Sequence, residues 1–120
     1  MHIAQIVAQW IIGLGILNVW LLRRQRATPY RGGNARNMKE EFAVYGLPAW
    51  FMYAIGTLKV ALALALMLGT WQPVLVQPAA LAMAALMTGA VVMHLKVKDT
   101  LTKTLPSLVM LGLSLFVAMV

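Results

Sequence analysis

The chain has 120 residues, of which 62% are hydrophobic and only 11% are charged, and its formal net charge is +7. A soluble domain needs about a quarter of its residues charged to form a hydrated surface, so this composition predicts one domain, residues 1–120, whose outer surface faces lipid. The absence of cysteine excludes disulfides, cysteine-ligated metal sites and thiol redox chemistry. The positive charge does not indicate nucleic-acid binding, because nine of the ten lysines and arginines lie in two short segments between apolar runs.

The first apolar run extends over residues 3–22 without a charge. About twenty helical residues cross the ~30 Å hydrocarbon core of a bilayer. The run has no basic start and is followed by two arginines, so we expect a retained transmembrane helix and not a cleaved signal peptide. A polar, basic segment with Pro29 and Gly32-Gly33 then breaks the helix.

Residues 37–45 carry charges followed by aromatic and apolar side chains, a pattern that predicts a short helix at the headgroups. Two further apolar runs follow, separated by an uncharged turn at residues 69–73, and a last one follows the polar loop of residues 94–103. The sequence therefore predicts an all-α membrane protein, a four-transmembrane-helix bundle with a short interfacial helix before the second span. The predicted spans cover residues 3–22, 49–68, 74–93 and 103–120.

The connecting loops differ sharply in charge. The first carries six lysines and arginines, the second none and the third three. Basic loops stay on the cytoplasmic side of a membrane, so we expect the first and third loops in the cytoplasm and both termini outside. The protein is expected in a bacterial inner membrane.

Lys59 stands in the middle of the second span, where a charge costs about 2.5–3.5 kcal/mol on insertion scales. It is therefore expected to face the bundle interior, near Gln9, Asn18, Thr88 or Ser114. Gln9 and Asn18 either line a polar site together with Lys59 or make hydrogen bonds between helices. One interpretation is an anion, quinone-carbonyl or headgroup site around Lys59. The other is a structural lysine that reaches the interface or is hydrogen-bonded inside the bundle.

His94, at the end of the third span, is a candidate for ligand binding or proton transfer, although a lone interfacial histidine usually has neither role. Five charged residues are expected at the interface, where they would contact headgroups or a partner: Glu40, Glu41, Lys96, Lys98 and Asp99. No spacing of residues indicates a nucleophile with its base, a nucleotide site or a metal site. We therefore predict no catalytic residue and no metal.

Several short motifs occur in an order that resembles the DoxX-like family. They are Phe42-Ala-Val-Tyr-Gly-Leu-Pro48, Ile55-Gly-Thr-Leu-Lys-Val60, Leu86-Met-Thr-Gly-Ala90, His94-Leu-Lys-Val-Lys-Asp99 and Lys103-Thr-Leu-Pro106. The resemblance implies a four-helix membrane bundle. Family members include a subunit of a thiosulfate:quinone oxidoreductase and a protein that assists receptor assembly in the endoplasmic reticulum. Many members have an acid in the second span where this chain has Lys59.

From the residues and the resemblance together we expect a non-catalytic protein that acts by association within the bilayer, in an accessory, assembly, lipid-binding or partner-binding role. Its partners would be the lipid bilayer, another membrane protein or a second copy of itself, and no nucleic acid. The alternative is a quinone-linked oxidoreductase subunit with quinone near Lys59; no other cofactor is expected. A small transporter built as a dimer is a third hypothesis.

Overall fold

The computed structural model describes residues 3–22 and 30–120. Five α-helices form the described part of the chain, and α1 continues as a π-helical turn over Asn18–Leu22. A short 3₁₀ turn, Pro73–Leu75, leads into the fourth helix. The helices are α1 (Ile3–Leu17), α2 (Met38–Val44), α3 (Ala49–Leu68), α4 (Val76–Lys96) and α5 (Leu101–Met119).

Four segments are long and apolar enough to cross a membrane, and α2 is the short helix before the second of them. They are Ile3–Leu22, Ala49–Leu68, Pro73–Lys96 and Leu101–Met119. Each span packs against two others, in the cyclic order α1, α3, α4, α5, and α5 closes the ring against α1. The predicted four-helix membrane bundle is confirmed.

The outward faces of the spans are apolar. Large side chains such as Ile3, Val7, Leu64 and Leu115 are more than 40% exposed, which is the surface that a bilayer solvates and water does not. Helix association in lipid depends on close packing by small residues. At Gly13 an added Cβ would lie 2.6 Å from Met67 and 3.2 Å from a backbone oxygen of α3, so this glycine allows α1 and α3 to approach closely.

The short helix α2 has a capping signal at each end. The Asn37 side chain accepts from the Glu40 N–H at 2.8 Å, which caps the helix, and its amide also donates to the Glu40 carboxylate at 3.0 Å. At its other end Gly46, with φ +80, lets the Leu47 N–H bond the Phe42 carbonyl at 2.9 Å. This Schellman turn ends α2 and starts the second span.

The end of α4 differs from the expected polar loop, since the helix continues through His94 to Lys96. It also ends in a Schellman turn. The Asp99 N–H bonds the His94 carbonyl at 2.9 Å and the Lys98 N–H bonds the Leu95 carbonyl at 3.1 Å. Lys98 has the left-handed φ of 57, which the turn requires and which the sequence does not reveal, because glycine usually occupies this position.

Candidate ligand-binding site

A cavity of about 620 Å³ lies at the end of the bundle that carries the basic connecting segments. Cavities that bind small molecules measure about 300–1,000 Å³ and are mostly apolar with a few polar groups. Most of the lining here is apolar and comes from the end of α1, from α2, and from the adjoining halves of the other three spans. The polar lining side chains are Asn18, Tyr30, Arg31, Glu41, Tyr45, Lys59, His94, Lys103 and Ser107, together with the indole of Trp20.

Lys59 projects into this cavity from the buried face of α3. It shares that face with Met52, Gly56 and Ala63, at the i, i+3 and i+4 spacing of neighbours on one side of a helix. Helical side chains lean towards the N-terminus of their helix, and the Lys59 ammonium accordingly lies towards the basic end, 5.7 Å from the ring centroid of Trp20. None of the described residues accepts a hydrogen bond from it.

Trp20 and Phe42 form an aromatic wall of the cavity. Their ring centroids are 6.1 Å apart in an edge-to-face arrangement. The indole lies directly on α3 at Gly56, where an added Cβ would be 2.4 Å from the ring. The glycine therefore determines how close Trp20 can lie to α3 and to the Lys59 ammonium.

Arg31, Glu41 and Tyr45 form the first half of a polar network that borders the cavity. Arg31 makes an ion pair with Glu41 at 3.2 Å, and the Tyr45 hydroxyl donates to the other Glu41 oxygen at 2.7 Å. Burial, followed by the neighbouring carboxylate of Glu41, raises the pKa of Tyr45 above its ordinary value. The phenol therefore keeps its proton and remains a donor.

His94, Asp99 and Lys103 form the second half. His94 Nδ1 lies 2.7 Å from an Asp99 oxygen, and its Nε2 lies 3.4 Å from the Tyr45 hydroxyl, which joins the two halves. The other Asp99 oxygen accepts from the Gly33 N–H at 3.0 Å, and the Lys103 ammonium donates to the Gly33 carbonyl. The network thus ties the segment before α2 to the connection between α4 and α5.

Some of the residues predicted from the sequence line the cavity and others do not. The reason is that hydropathy predicts depth in the bilayer but not which side of a helix a residue occupies. Lys59, Asn18 and His94 line the cavity. Gln9 does not. It is fully buried, and its side-chain amide donates to the Leu66 carbonyl at 2.7 Å. Gln9 therefore makes a hydrogen bond between α1 and α3, one of its two expected roles. It does not join Lys59, because Leu66 lies seven positions along α3 from Lys59, about 10 Å of helix.

The prediction that Thr88 lies near Lys59 in the bundle interior is also wrong. It lies on the exposed side of α4, and its hydroxyl bonds the Ala84 carbonyl of its own helix at 2.9 Å. Ser114 is fully buried in α5 and does not line the cavity. Neither residue lines the cavity into which Lys59 projects.

The residues expected at the interface also divide. Glu40 and Lys98 face outward, and Glu40 pairs with Arg36 at 3.6 Å. Glu41 and Asp99 instead point inward, with carboxylates only 12% and 4% exposed, so their expected role as surface contacts is wrong. Lys96 donates to the Tyr45 carbonyl at 2.8 Å. The cause is the inward packing of α2 and the left-handed turn at Lys98, which neither charge nor periodicity indicates.

Sequence reasoning did not single out Arg31, Tyr45 or Trp20. Arg31 stands in a basic run in which nothing distinguishes it from its neighbours, and among the described basic residues of that run it alone is buried. The Arg23, Arg24 and Arg26 part of that run lies outside the described residues. For Tyr45 the sequence contains one signal, which is its position just before the Gly46 turn. A Schellman turn folds the end of a helix back on itself, so an aromatic side chain there is directed inward.

Four apolar spans around a cavity with an intramembrane lysine define an integral membrane protein of the small helical-bundle class. The model of the DoxX-like family matches residues 33–117, which cover α2 to α5. The chain belongs to this family. No curated protein and no solved structure gives a significant match.

Proposed function

We propose that this protein is a non-catalytic accessory protein that binds a lipid-like molecule from the bilayer in the cavity at its basic end. The observation that carries the proposal is the cavity itself, about 620 Å³ between apolar walls, with the Lys59 ammonium projecting into it. Such a lining suits an amphiphile, which needs apolar walls for its chain and a polar group for its head.

The residues around the cavity support binding better than catalysis. Glu41 and Asp99, the acids of the network, are already held by Arg31, Tyr45 and His94. A general base must be within hydrogen-bond reach of a substrate proton and have a free lone pair for it. A network of this kind instead positions the segment before α2 over the cavity.

The second candidate is a quinone-linked oxidoreductase subunit. Lys59 favours it, because an ammonium beside an aromatic wall can donate a hydrogen bond to a ligand carbonyl. In that case the protein would hold the quinone and another subunit would deliver electrons.

We also propose that the basic end of the bundle faces the cytoplasm of a bacterial inner membrane. The first and third connections carry nine of the ten lysines and arginines, and short cytoplasmic loops are enriched in these residues. The cavity would then open towards the inner leaflet. Tags in the first and third connections should be protected from reagents added outside the cell, and opposite exposure of the two tags would refute the four-span orientation.

The binding proposal is tested by purifying the protein from its native membrane in a mild detergent and analysing the extracted molecules by mass spectrometry. A lipid or fatty acid in near-stoichiometric amount, reduced in Lys59→Ala, is the expected result. Stoichiometric quinone that Lys59→Ala loses would favour the second candidate. Only trace, non-stoichiometric molecules in the wild type would refute both.

A further inference from the structure

Lys59 differs from the other cations of the cavity in having no acceptor for its charge. Arg31 is paired with Glu41. Lys103 donates to the Gly33 carbonyl and lies 4.0 Å from Asp99. Among the described residues, Lys59 makes no hydrogen bond or ion pair: its ammonium lies 5.7 Å from the ring centroid of Trp20, and the carboxylate of Glu41 acts on it only from beyond ion-pair distance.

This isolation is costly in an apolar environment. A cation–π contact contributes about 0.5–2 kcal/mol, whereas a charge in the middle of a span costs about 2.5–3.5 kcal/mol on insertion scales. An anionic partner would offset the remaining cost of the charge. The carboxylate of Glu41, however, is already engaged by Arg31 and Tyr45. An anionic ligand in the cavity would supply the negative charge that no described residue places within ion-pair distance of Lys59.

The cavity into which the ammonium projects is lined by apolar side chains of α3, α4 and α5, among them Ile55, Leu86, Met93 and Met110. These walls would exclude the hydration shell of a free inorganic anion. They would hold an aliphatic chain favourably, at about 0.8 kcal/mol for each buried methylene.

Building on the proposed lipid-binding function, we propose that the ligand is an anionic amphiphile, with a carboxylate or phosphate head against the Lys59 ammonium and an aliphatic chain along the apolar walls. A fatty acid and an alkyl phosphate share this chemistry. A neutral amphiphile would fill the same walls and leave the charge of Lys59 uncompensated.

Competition binding distinguishes these ligands. The protein, in nanodiscs of zwitterionic lipid, is labelled with a photoactivatable fatty acid. The competitors are a fatty acid, an alkyl phosphate and a primary alcohol of equal chain length, together with inorganic phosphate. We expect the acid or the alkyl phosphate to compete about tenfold better than the alcohol, and the difference between the two anions to identify the preferred head. Inorganic phosphate should not compete.

One pair of variants tests the role of Lys59, and a second pair tests the cavity. Lys59→Met should abolish the preference for the anionic head while the alcohol still competes, and Lys59→Arg should keep the preference. Gly89→Leu should block all amphiphiles, because Gly89 lines the cavity and no atom lies within 4 Å of an added Cβ. Gly112→Leu is its control, since Gly112 has the same free space but does not line the cavity.

The outcomes separate the two proposals. Equal competition by acid and alcohol in the wild type, or a preference that survives in Lys59→Met, would overturn the anionic ligand and leave lipid binding standing. Full competition by inorganic phosphate would overturn the amphiphile. Absence of saturable labelling by the fatty acid, with no effect of Gly89→Leu, would overturn both proposals.

Discussion

The imidazole of His94 and the carboxylate of Asp99 meet across the end of α4, with Nδ1 and Oδ2 2.7 Å apart. They are five positions apart in the chain, and the left-handed turn at Lys98 folds Asp99 back onto the last turn of the helix. The same carboxylate accepts from Gly33 in the segment before α2. One turn of backbone thus joins two connections that border the cavity.

Replacing Asp99 with asparagine should destabilise the folded protein by roughly 2 kcal/mol. The amide cannot serve His94 and Gly33 as a charged acceptor, and hydrogen bonds to charged groups contribute about 1.5–3 kcal/mol. Thermal unfolding in detergent measures the change. Glu40→Gln is the matched control, because its exposed pair with Arg36 should contribute less than about 1 kcal/mol. Equal effects of the two variants would contradict the role of Asp99.

The pH dependence of the Asp99 contribution can also be predicted. Burial alone raises the pKa of Asp99, but the Gly33 N–H, His94 and the charge of Lys103 outweigh it and hold the pKa below its ordinary value of 3.8. A carboxyl whose pKa falls on folding stabilises the protein above its unfolded pKa and loses that contribution as the pH falls through its folded pKa. The stability difference between wild type and Asp99→Asn should therefore shrink below about pH 4. A difference that grew with acid would contradict this network.

Gly56→Ala should lower stability and disturb the cavity, because its methyl group would lie 2.4 Å from the Trp20 ring. Elsewhere the same change favours a helix by about 1 kcal/mol. Gly112→Ala is the control, since an added Cβ there meets nothing within 4 Å. Thermal unfolding and tryptophan fluorescence follow the two effects. Stabilisation of both variants to the same degree would show that Trp20 does not lie on Gly56.

Lys98→Gly should stabilise the protein by about 1 kcal/mol. Lys98 adopts a φ of 57, a left-handed conformation that costs residues with a Cβ about 1–2 kcal/mol. Lys98→Ala removes the same charge but retains the Cβ, so it should give no such gain in thermal unfolding. If alanine stabilised as much as glycine, charge and not backbone strain would be the cause.

The spans and their order could be predicted because hydropathy reports which residues face lipid. The inward position of Lys59 could be predicted as well, because an intramembrane charge on the lipid side is too costly. The partners of Lys59 could not. Gln9 and Lys59 are both polar and intramembrane, yet Gln9 bonds a carbonyl near the end of α3, where helix carbonyls lack backbone donors.

The rest of the site depends on two turns that hydrophobic periodicity does not predict. Gly46 indicates the first, but Lys98 stands where glycine is expected and conceals the second. Without that turn Asp99 would be assigned to the surface, as its charge suggests. Arg31 and Tyr45 join the site only because α2 packs inward, which is a consequence of tertiary contacts and not of local pattern.

Occupation of the cavity by a lipid-like molecule is tested most directly by native mass spectrometry of the wild type, Gly89→Leu and Gly112→Leu, each released from native membrane lipid. The wild type and Gly112→Leu should carry one bound amphiphile of the same mass, and Gly89→Leu should carry none while keeping its thermal stability. A wild-type spectrum of the bare chain alone, or an equal amount of bound molecule in a stably folded Gly89→Leu, would contradict the binding role of the cavity.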